Sequence, residues 1–383
     1  MSRIKDASVK KELYVGLMSG TSMDGIDAAL VEFKSATDFR ILKSSFTPFP
    51  KEFKERIAYT SQHNEQLKRN EDSSLHKDLA PLYAEAATDL IQSLSLPASS
   101  IRAIANHGQT VKHEPDQKPP LSLQLGDGQI IADQTGIRTI SQFRQADLAI
   151  GGQGAPLMPA FHRAAFADQP NTFIVNIGGI SNVSFLGQPL LGFDTGPGNC
   201  LMDQWISRTL GHDFDQDGRW AQTANYDKEL LDRLLKDQYF SQSAPKSTGT
   251  DYFNLNWLET YLANDIKPEV VQRTLLQLTI ESISNEILRV RENGAIYVCG
   301  GGADNPLLMA SLQQRLQHFS VNNTDAIGLP SDQLEAIGFA WLGYCFDHNL
   351  VSNAPTVTGA SKECVLGELF EPKPKAVSNQ LKN

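Results

Sequence analysis

Residues 16–27 read Gly-Leu-Met-Ser-Gly-Thr-Ser-Met-Asp-Gly-Ile-Asp. One apolar run, 13–17, enters this stretch and another, 26–33, leaves it, so the small residues at its centre form the turn of a hairpin. A third strand is predicted over 39–46. The same arrangement returns later as an apolar strand over 172–177, a Gly178-Gly179 turn and a second strand over 182–186. Two half-molecules that each open with a hairpin bent around glycines predict an α/β protein built as a pseudo-symmetric clamp.

Outward from the first hairpin, apolar spacing predicts helices over 51–62 and 75–94. A buried strand over 101–105 ends in Asn106-His107-Gly108-Gln109-Thr110. Proline and glycine are densest over 126–159, which places the boundary between lobes there. Beyond the second hairpin come a strand and helix over 190–210, a helical region over 227–239 and a long helix over 268–292. A strand over 295–299 then runs into Gly300-Gly301-Gly302, with helices over 305–316 and 333–346. The expected division is an N-terminal lobe of 1–139 plus 350–372, a C-terminal lobe of 140–349 and a frayed tail of 373–383.

At 383 residues the chain exceeds one core of usual size. Its formal charge of -10 disfavours a nucleic-acid surface, which needs a concentrated basic face. The four cysteines form no CxxC pair and the eight histidines no HExxH pair, so neither a disulfide framework nor a zinc site is expected. No run approaches the roughly 18 apolar residues of a membrane span, and the basic start lacks an apolar leader stretch. A cytoplasmic protein is the expectation.

Four segments have side chains suited to chemistry. In the first (Gly20, Thr21, Ser22, Met23, Asp24, Gly25, Ile26 and Asp27), glycines admit backbone N–H groups to an anion and hydroxyls add donors. It is not a Walker A loop, since no Gly-Lys-Ser/Thr is present and a strand follows; a plain hairpin turn is the other reading. The second, Gly192 to Asn199, places Asp194 at the end of a strand, with Gly196 and Gly198 before a helix. That order suits an acid–base residue beside an anion site, or a satisfied strand-to-helix turn. In the third, Gly300-Gly301-Gly302 offers a flat surface for a purine or ribose ahead of a helix N-terminus. The fourth, residues 142–156, sets Arg144 and Asp147 beside a glycine stretch. Arg144 suits bidentate capture of a carboxylate or phosphate, and a hinge-bracing salt bridge is the alternative.

Taken in order, GLMSGTSMDGID, NHGQT, FRQADLAIGGQGAPLMPAFH, NIGGISN, GFDTGPGN, GGGADNPLLM and EAIGFAWLGY resemble the anhydro-N-acetylmuramic acid kinase family. The similarity runs from about Tyr14 to about Phe370, and the run Val357-Thr358-Gly359-Ala360-Ser361 fits it too. The resemblance implies a two-lobed actin-like ATPase fold of the ribonuclease H type, with a nucleotide cleft between lobes. It implies ATP and Mg²⁺ as cofactors, with the metal ligands left open, and a small amino sugar as substrate. The reaction implied takes 1,6-anhydro-N-acetylmuramic acid, ATP and water to N-acetylmuramic acid 6-phosphate and ADP, in recovery of bacterial cell-wall sugar. Asp194 matches the catalytic base, and the residues matching Gly20–Asp27 form the phosphate loop. Gly178, Gly179, Gly196, Gly198, Gly301 and Gly302 are further candidates to hold the nucleotide. Asp24, Asp127, Arg144 and Asp147 are candidates for the sugar, with Arg144 on its lactyl carboxylate.

Two positions depart from the family pattern: Asp304 stands where arginine is common, and Thr250 replaces a basic residue. Neither nucleic acid nor membrane is expected as a partner, and a second copy of the chain is the one macromolecular partner considered. Two alternatives stay open, a kinase for another sugar and an ATP-gated binding or chaperone-like clamp.

Overall fold

The alternation of Tyr14, Val15, Gly16 and Leu17 organises the first half of the chain. Successive strand residues face opposite sides of a sheet. Val15 and Leu17 join a core with Leu79, Tyr83 and Ala87 of the helix Leu75–Gln92. Tyr14 and Gly16 face the helix Leu334–Asp347: the Tyr14 ring meets Tyr344 edge-on at 5.8 Å. A Cβ on Gly16 would lie 1.9 Å from the Ala336 carbonyl oxygen. The strand is therefore covered on both faces and reads as one apolar run, as central strands of parallel sheets do.

The computed structural model describes residues 11–20, 22–263 and 265–374. It forms two units: one takes the chain up to Gly154, with Glu335–Asn353 and the residues from Ala360 on, and the other takes Ala155–Leu334 with Ala354–Gly359. This division differs from the sequence expectation. Residues 140–154 and the helix Leu334–Asp347 from Glu335 on, expected in the C-terminal lobe, belong to the first unit, and Ala354–Gly359, expected in the N-terminal lobe, to the second; Gly16 lets the strand and helix backbones meet in the first unit. Of the tail expected over 373–383, residues 375–383 lie outside the described residues.

In the first unit β1 (Glu12–Ser19), β2 (Gly25–Phe33) and β3 (Phe39–Pro48) form an antiparallel meander. β4 (Ile101–Glu114) and β6 (Thr139–Ser141) extend it in parallel on the far side of β1, and β5 (Leu121–Leu125) pairs with the end of β4. In the second unit β7 (Phe173–Ile177), β8 (Ile180–Phe185) and β9 (Leu191–Pro197) repeat the meander. β10 (Gly294–Cys299) and β11 (Phe319–Asn323) repeat the parallel extension. A short β12 (Glu368–Phe370) closes the first sheet antiparallel to β6.

With β5 set aside, since it pairs only with β4, the first sheet runs β3-β2-β1-β4-β6 and the second β9-β8-β7-β10-β11, the same order, with β2 and β8 each antiparallel to both neighbours. This is the ribonuclease H-like arrangement that the sequence implied, present twice. The second core gathers on the long helix Pro268–Val290, whose Val271, Leu275, Leu278, Ile280 and Ile283 are all buried. Because apolar residues surround that helix rather than lining one stripe, it is internal.

Candidate functional site

Asp194 lies on β9, opposite Asn182 of β8, and is partly exposed. Its surroundings come from a loop distant in sequence, residues 245–249. The Asp194 N–H donates to the Lys246 carbonyl over 3.1 Å, and the Thr248 N–H donates to Asp194 Oδ2 over 3.0 Å. Tyr239 donates its hydroxyl to the Asp194 carbonyl oxygen over 2.7 Å. Desolvation pushes the Asp194 carboxyl up to about 6, against opposing pulls from the Thr248 N–H and the Lys246 charge. A carboxylate with that affinity is ionised at neutral pH and a far better proton acceptor than an exposed aspartate.

The Lys246 ammonium is buried, 2.8 Å from Glu286 Oε1 on the long helix, and lies 4.6 Å from the centre of the Tyr239 ring. None of Lys246, Thr248, Tyr239 and Glu286 stood out in the sequence as a site residue. Nothing local marks them: Lys246 and Glu286 come together across 40 residues.

The glycines divide into two kinds. At Gly20 an added Cβ would meet nothing nearer than Ser22 Oγ at 3.9 Å. At Gly178 the nearest atom would be the Ile180 carbonyl oxygen at 3.7 Å, and at Gly301 Asn199 Nδ2 at 3.8 Å. These three leave backbone open to a ligand, the condition an anion-binding turn requires. Four other candidates are consumed by the fold. A Cβ on Gly25 would lie 2.4 Å from the Thr47 carbonyl oxygen, on Gly198 2.3 Å from that of Gly178, and on Gly302 2.4 Å from Ile177 Cγ2. Gly196, at φ 149°, would meet the Phe240 ring at 2.9 Å. The flat three-glycine platform of the sequence reading therefore reduces to Gly301, since Gly302 is buried against Ile177.

The helix N-termini are also partly spent. The N–H groups of Gly198 and Cys200 donate to the Gly179 carbonyl, at 2.9 and 3.1 Å, and that of Asn199 to the Gly178 carbonyl at 2.8 Å. The β7–β8 turn thus caps the helix Cys200–Leu210. Asn305 Oδ1 caps the helix Pro306–Arg315 by accepting from Leu307 and Leu308.

In the first unit, Met23 takes the left-handed conformation (φ 55°) and its N–H donates to the Gly20 carbonyl over 3.2 Å. Gln109 Nε2 donates to that same carbonyl at 3.2 Å, and Ser22 donates to Asp24 Oδ1 at 2.8 Å. Ser22 and Asp24 are exposed, Ile26 is buried and Asp27 is intermediate; Thr21 lies outside the described residues.

Arg144 donates through Nε to His107 Nε2 at 3.2 Å and through Nη1 to the Gly154 carbonyl at 2.8 Å. Desolvation lowers the guanidinium to about 10, so it stays charged at neutral pH. His107, desolvated and beside Arg144, is held well below the usual imidazole range and is neutral, as an acceptor must be. Asp147 is placed otherwise than expected of a sugar contact. It is fully buried, accepting from Gly154 N at 2.9 Å and Asn353 Nδ2 at 3.0 Å, and it braces the glycine stretch. Asp127 caps the helix Gly128–Thr135, accepting from Gln129 N and Ile130 N, while Oδ2 lies 3.9 Å from His76 Nε2.

Among the described residues no three His, Cys, Asp or Glu side chains converge on a metal-sized point. Mg²⁺ is usually held by phosphates and water with one or two carboxylates, and the exposed Asp24 fits that limited donor set. No helix among the described residues is long and apolar enough to cross a membrane.

A family model described as anhydro-N-acetylmuramic acid kinase matches residues 12–372. A curated relative of that name from Vibrio vulnificus (strain CMCP6) is 46% identical over 366 residues, covering 94% of this chain and 98% of the relative. One from Haemophilus influenzae is 43% identical over 380 residues, covering 95% and 99%. Among solved structures, the ROK hexokinase from Thermus thermophilus is 17% identical, with a TM-score of 0.38 over 88% of this chain and 100% of that chain.

Proposed function

The chain belongs to the anhydro-N-acetylmuramic acid kinase family, and from that premise we propose that it hydrolytically opens 1,6-anhydro-N-acetylmuramic acid while phosphorylating O6, giving N-acetylmuramic acid 6-phosphate and ADP. Kinase activity follows from the family; the sugar, the ring opening and a cytoplasmic place in peptidoglycan recycling are parts of the reading.

The observation that carries it is the state of Asp194. An O6 tied to C1 of its own ring has no proton for a base to remove. The nucleophile must be a water attacking C1 as O6 departs toward the γ-phosphorus of ATP. Asp194, raised to about 6 yet ionised at pH 7, accepts that water's proton. A glycosidase needs a second carboxyl to protonate the leaving oxygen. Here the phosphoryl group takes that place, so one carboxylate suffices.

The rest is positioning. In the second unit the open backbone at Gly178 and Gly301 suits the nucleotide; in the first unit that at Gly20 suits phosphate oxygens and the charged Arg144 suits the lactyl carboxylate. Asp24 would help to hold Mg²⁺, which would supply charge neutralisation for a loose phosphoryl transfer. Attack opposite the departing O6 predicts inversion at C1.

The test is mass spectrometry and NMR of fresh product made in ¹⁸O water. The reading expects one ¹⁸O at C1, one phosphate at O6 and the α-anomer. Phosphorylation without ¹⁸O incorporation, or an initial β-anomer, overturns it.

A further inference from the structure

We propose that Lys246 is a positioning residue for Asp194, acting through its ammonium charge as well as through the loop that it anchors. The inference rests on the reading of Asp194 as base and adds to it the group that sets the base's working state.

One contact joins the two residues directly, and two more join them through Thr248 and Tyr239. The Lys246 carbonyl accepts the Asp194 N–H at 3.1 Å, so the loop is pinned to β9 at the base itself. Two residues on, Thr248 N–H holds Asp194 Oδ2 at 3.0 Å. The Lys246 ammonium lies over the ring of Tyr239, whose hydroxyl donates to the Asp194 carbonyl oxygen. Burial and the nearby Asp194 and Glu286 keep that phenol above its ordinary range, so it remains a donor.

The charges around Asp194 favour its ionised form. From the loop comes Lys246, and from the helix Pro268–Val290 comes Glu286, which Lys246 meets at 2.8 Å and Arg289 at 2.6 Å. Two cations on one carboxylate leave a local excess of positive charge. β8 contributes the neutral Asn182, the helix Gln238–Ser241 contributes Tyr239, and the helix Pro355–Thr358 has no titratable side chain. Lys246 is accordingly the charged group that opposes the desolvation of Asp194. A buried ammonium is a costly way to anchor a loop, since apolar side chains fill such positions at least as well. The cost is explained if the charge acts on the base.

The experiment is a ¹³C-detected carboxyl titration of the full chain, with the Asp194 resonance assigned by its loss in D194N, alongside pH profiles of kcat/KM. Lys246→Met is expected to move the Asp194 midpoint up from about 6 by roughly one unit, with the acid limb of kcat/KM following. Lys246→Arg returns both. An unchanged midpoint in folded K246M overturns the proposal and leaves Lys246 a structural anchor. Should K246M fail to fold, Lys246→Gln removes the charge while keeping a polar side chain there, and an unmoved midpoint in K246Q overturns it equally. Normal turnover in D194N instead removes the base reading, and the NMR midpoint still reports whether Lys246 acts on Asp194.

Discussion

Thr248 holds one oxygen of Asp194 and leaves the other. Its N–H donates to Oδ2 at 3.0 Å, while among the described residues no donor reaches Oδ1. A carboxylate with one oxygen fixed by backbone has a set orientation and a free lone pair, which is what a general base requires. The loop supplying that N–H lies 54 residues from Asp194 along the chain.

Turnover should follow the ionisation of Asp194. Activity is expected to rise with pH through about 6 and to level above it, because the base must be unprotonated. Asp194→Asn should lower kcat by roughly 10²–10⁴-fold with little change in KM for either substrate. A pH profile flat from 5 to 8 contradicts the assignment.

The same substitution should stabilise the protein. A folded-state value of about 6 stands above the unfolded 3.8, so ionised Asp194 opposes folding once the pH exceeds both. D194N is expected to be more stable by about 1–3 kcal/mol at pH 7.5 and no more stable at pH 3.5. Urea unfolding at the two values checks the sign, and equal gains at both would show that desolvation is not the cause.

The two kinds of glycine predict opposite outcomes for alanine. Gly198→Ala places a Cβ 2.3 Å from the Gly178 carbonyl oxygen and should cost about 3 kcal/mol. Gly301→Ala meets nothing closer than 3.8 Å and should cost under about 0.5 kcal/mol, while raising KM for ATP severalfold. A normal KM for ATP in G301A takes Gly301 out of the nucleotide site.

Arg144 and Asp147, three residues apart, should separate cleanly. Arg144→Ala is expected to raise KM for the sugar tenfold or more, the loss of a charge-assisted pair. Asp147→Asn should lower stability by about 1–3 kcal/mol, since one of its two acceptors toward Gly154 and Asn353 becomes a donor. Its KM should stay within twofold. Steady-state kinetics beside thermal unfolding distinguishes the two residues.

What could be read from the sequence was the local part. Apolar runs around Gly20 and Gly178 disclosed both hairpins, and with them the repeated sheet. Asp194 stood out because a carboxylate between a strand and glycines has few other uses. β4 was read as ending near Ala105, yet it continues to Glu114. Its later residues include the polar but buried Asn106, His107, Gln109 and Lys112, and Gly108 bends the strand so tightly that a Cβ there would touch the Leu125 carbonyl. The helix Leu334–Asp347 was assigned to the wrong unit because apolarity reveals burial and not the partner. Lys246 and Glu286 were invisible for the same reason: their meaning lies in a contact across 40 residues.

The packing of Gly16 against Ala336 also sets an order of events during synthesis. β1 leaves the ribosome some 320 residues before the helix that covers one of its faces. Nearly all of the second unit, Ala155–Leu334, is meanwhile an unbroken stretch. The strand thus waits, with one apolar face unsheathed, while the whole intervening stretch is translated. A nascent polypeptide stalled before residue 335 would hold one half finished but for Ala354–Gly359 and one that still invites a chaperone.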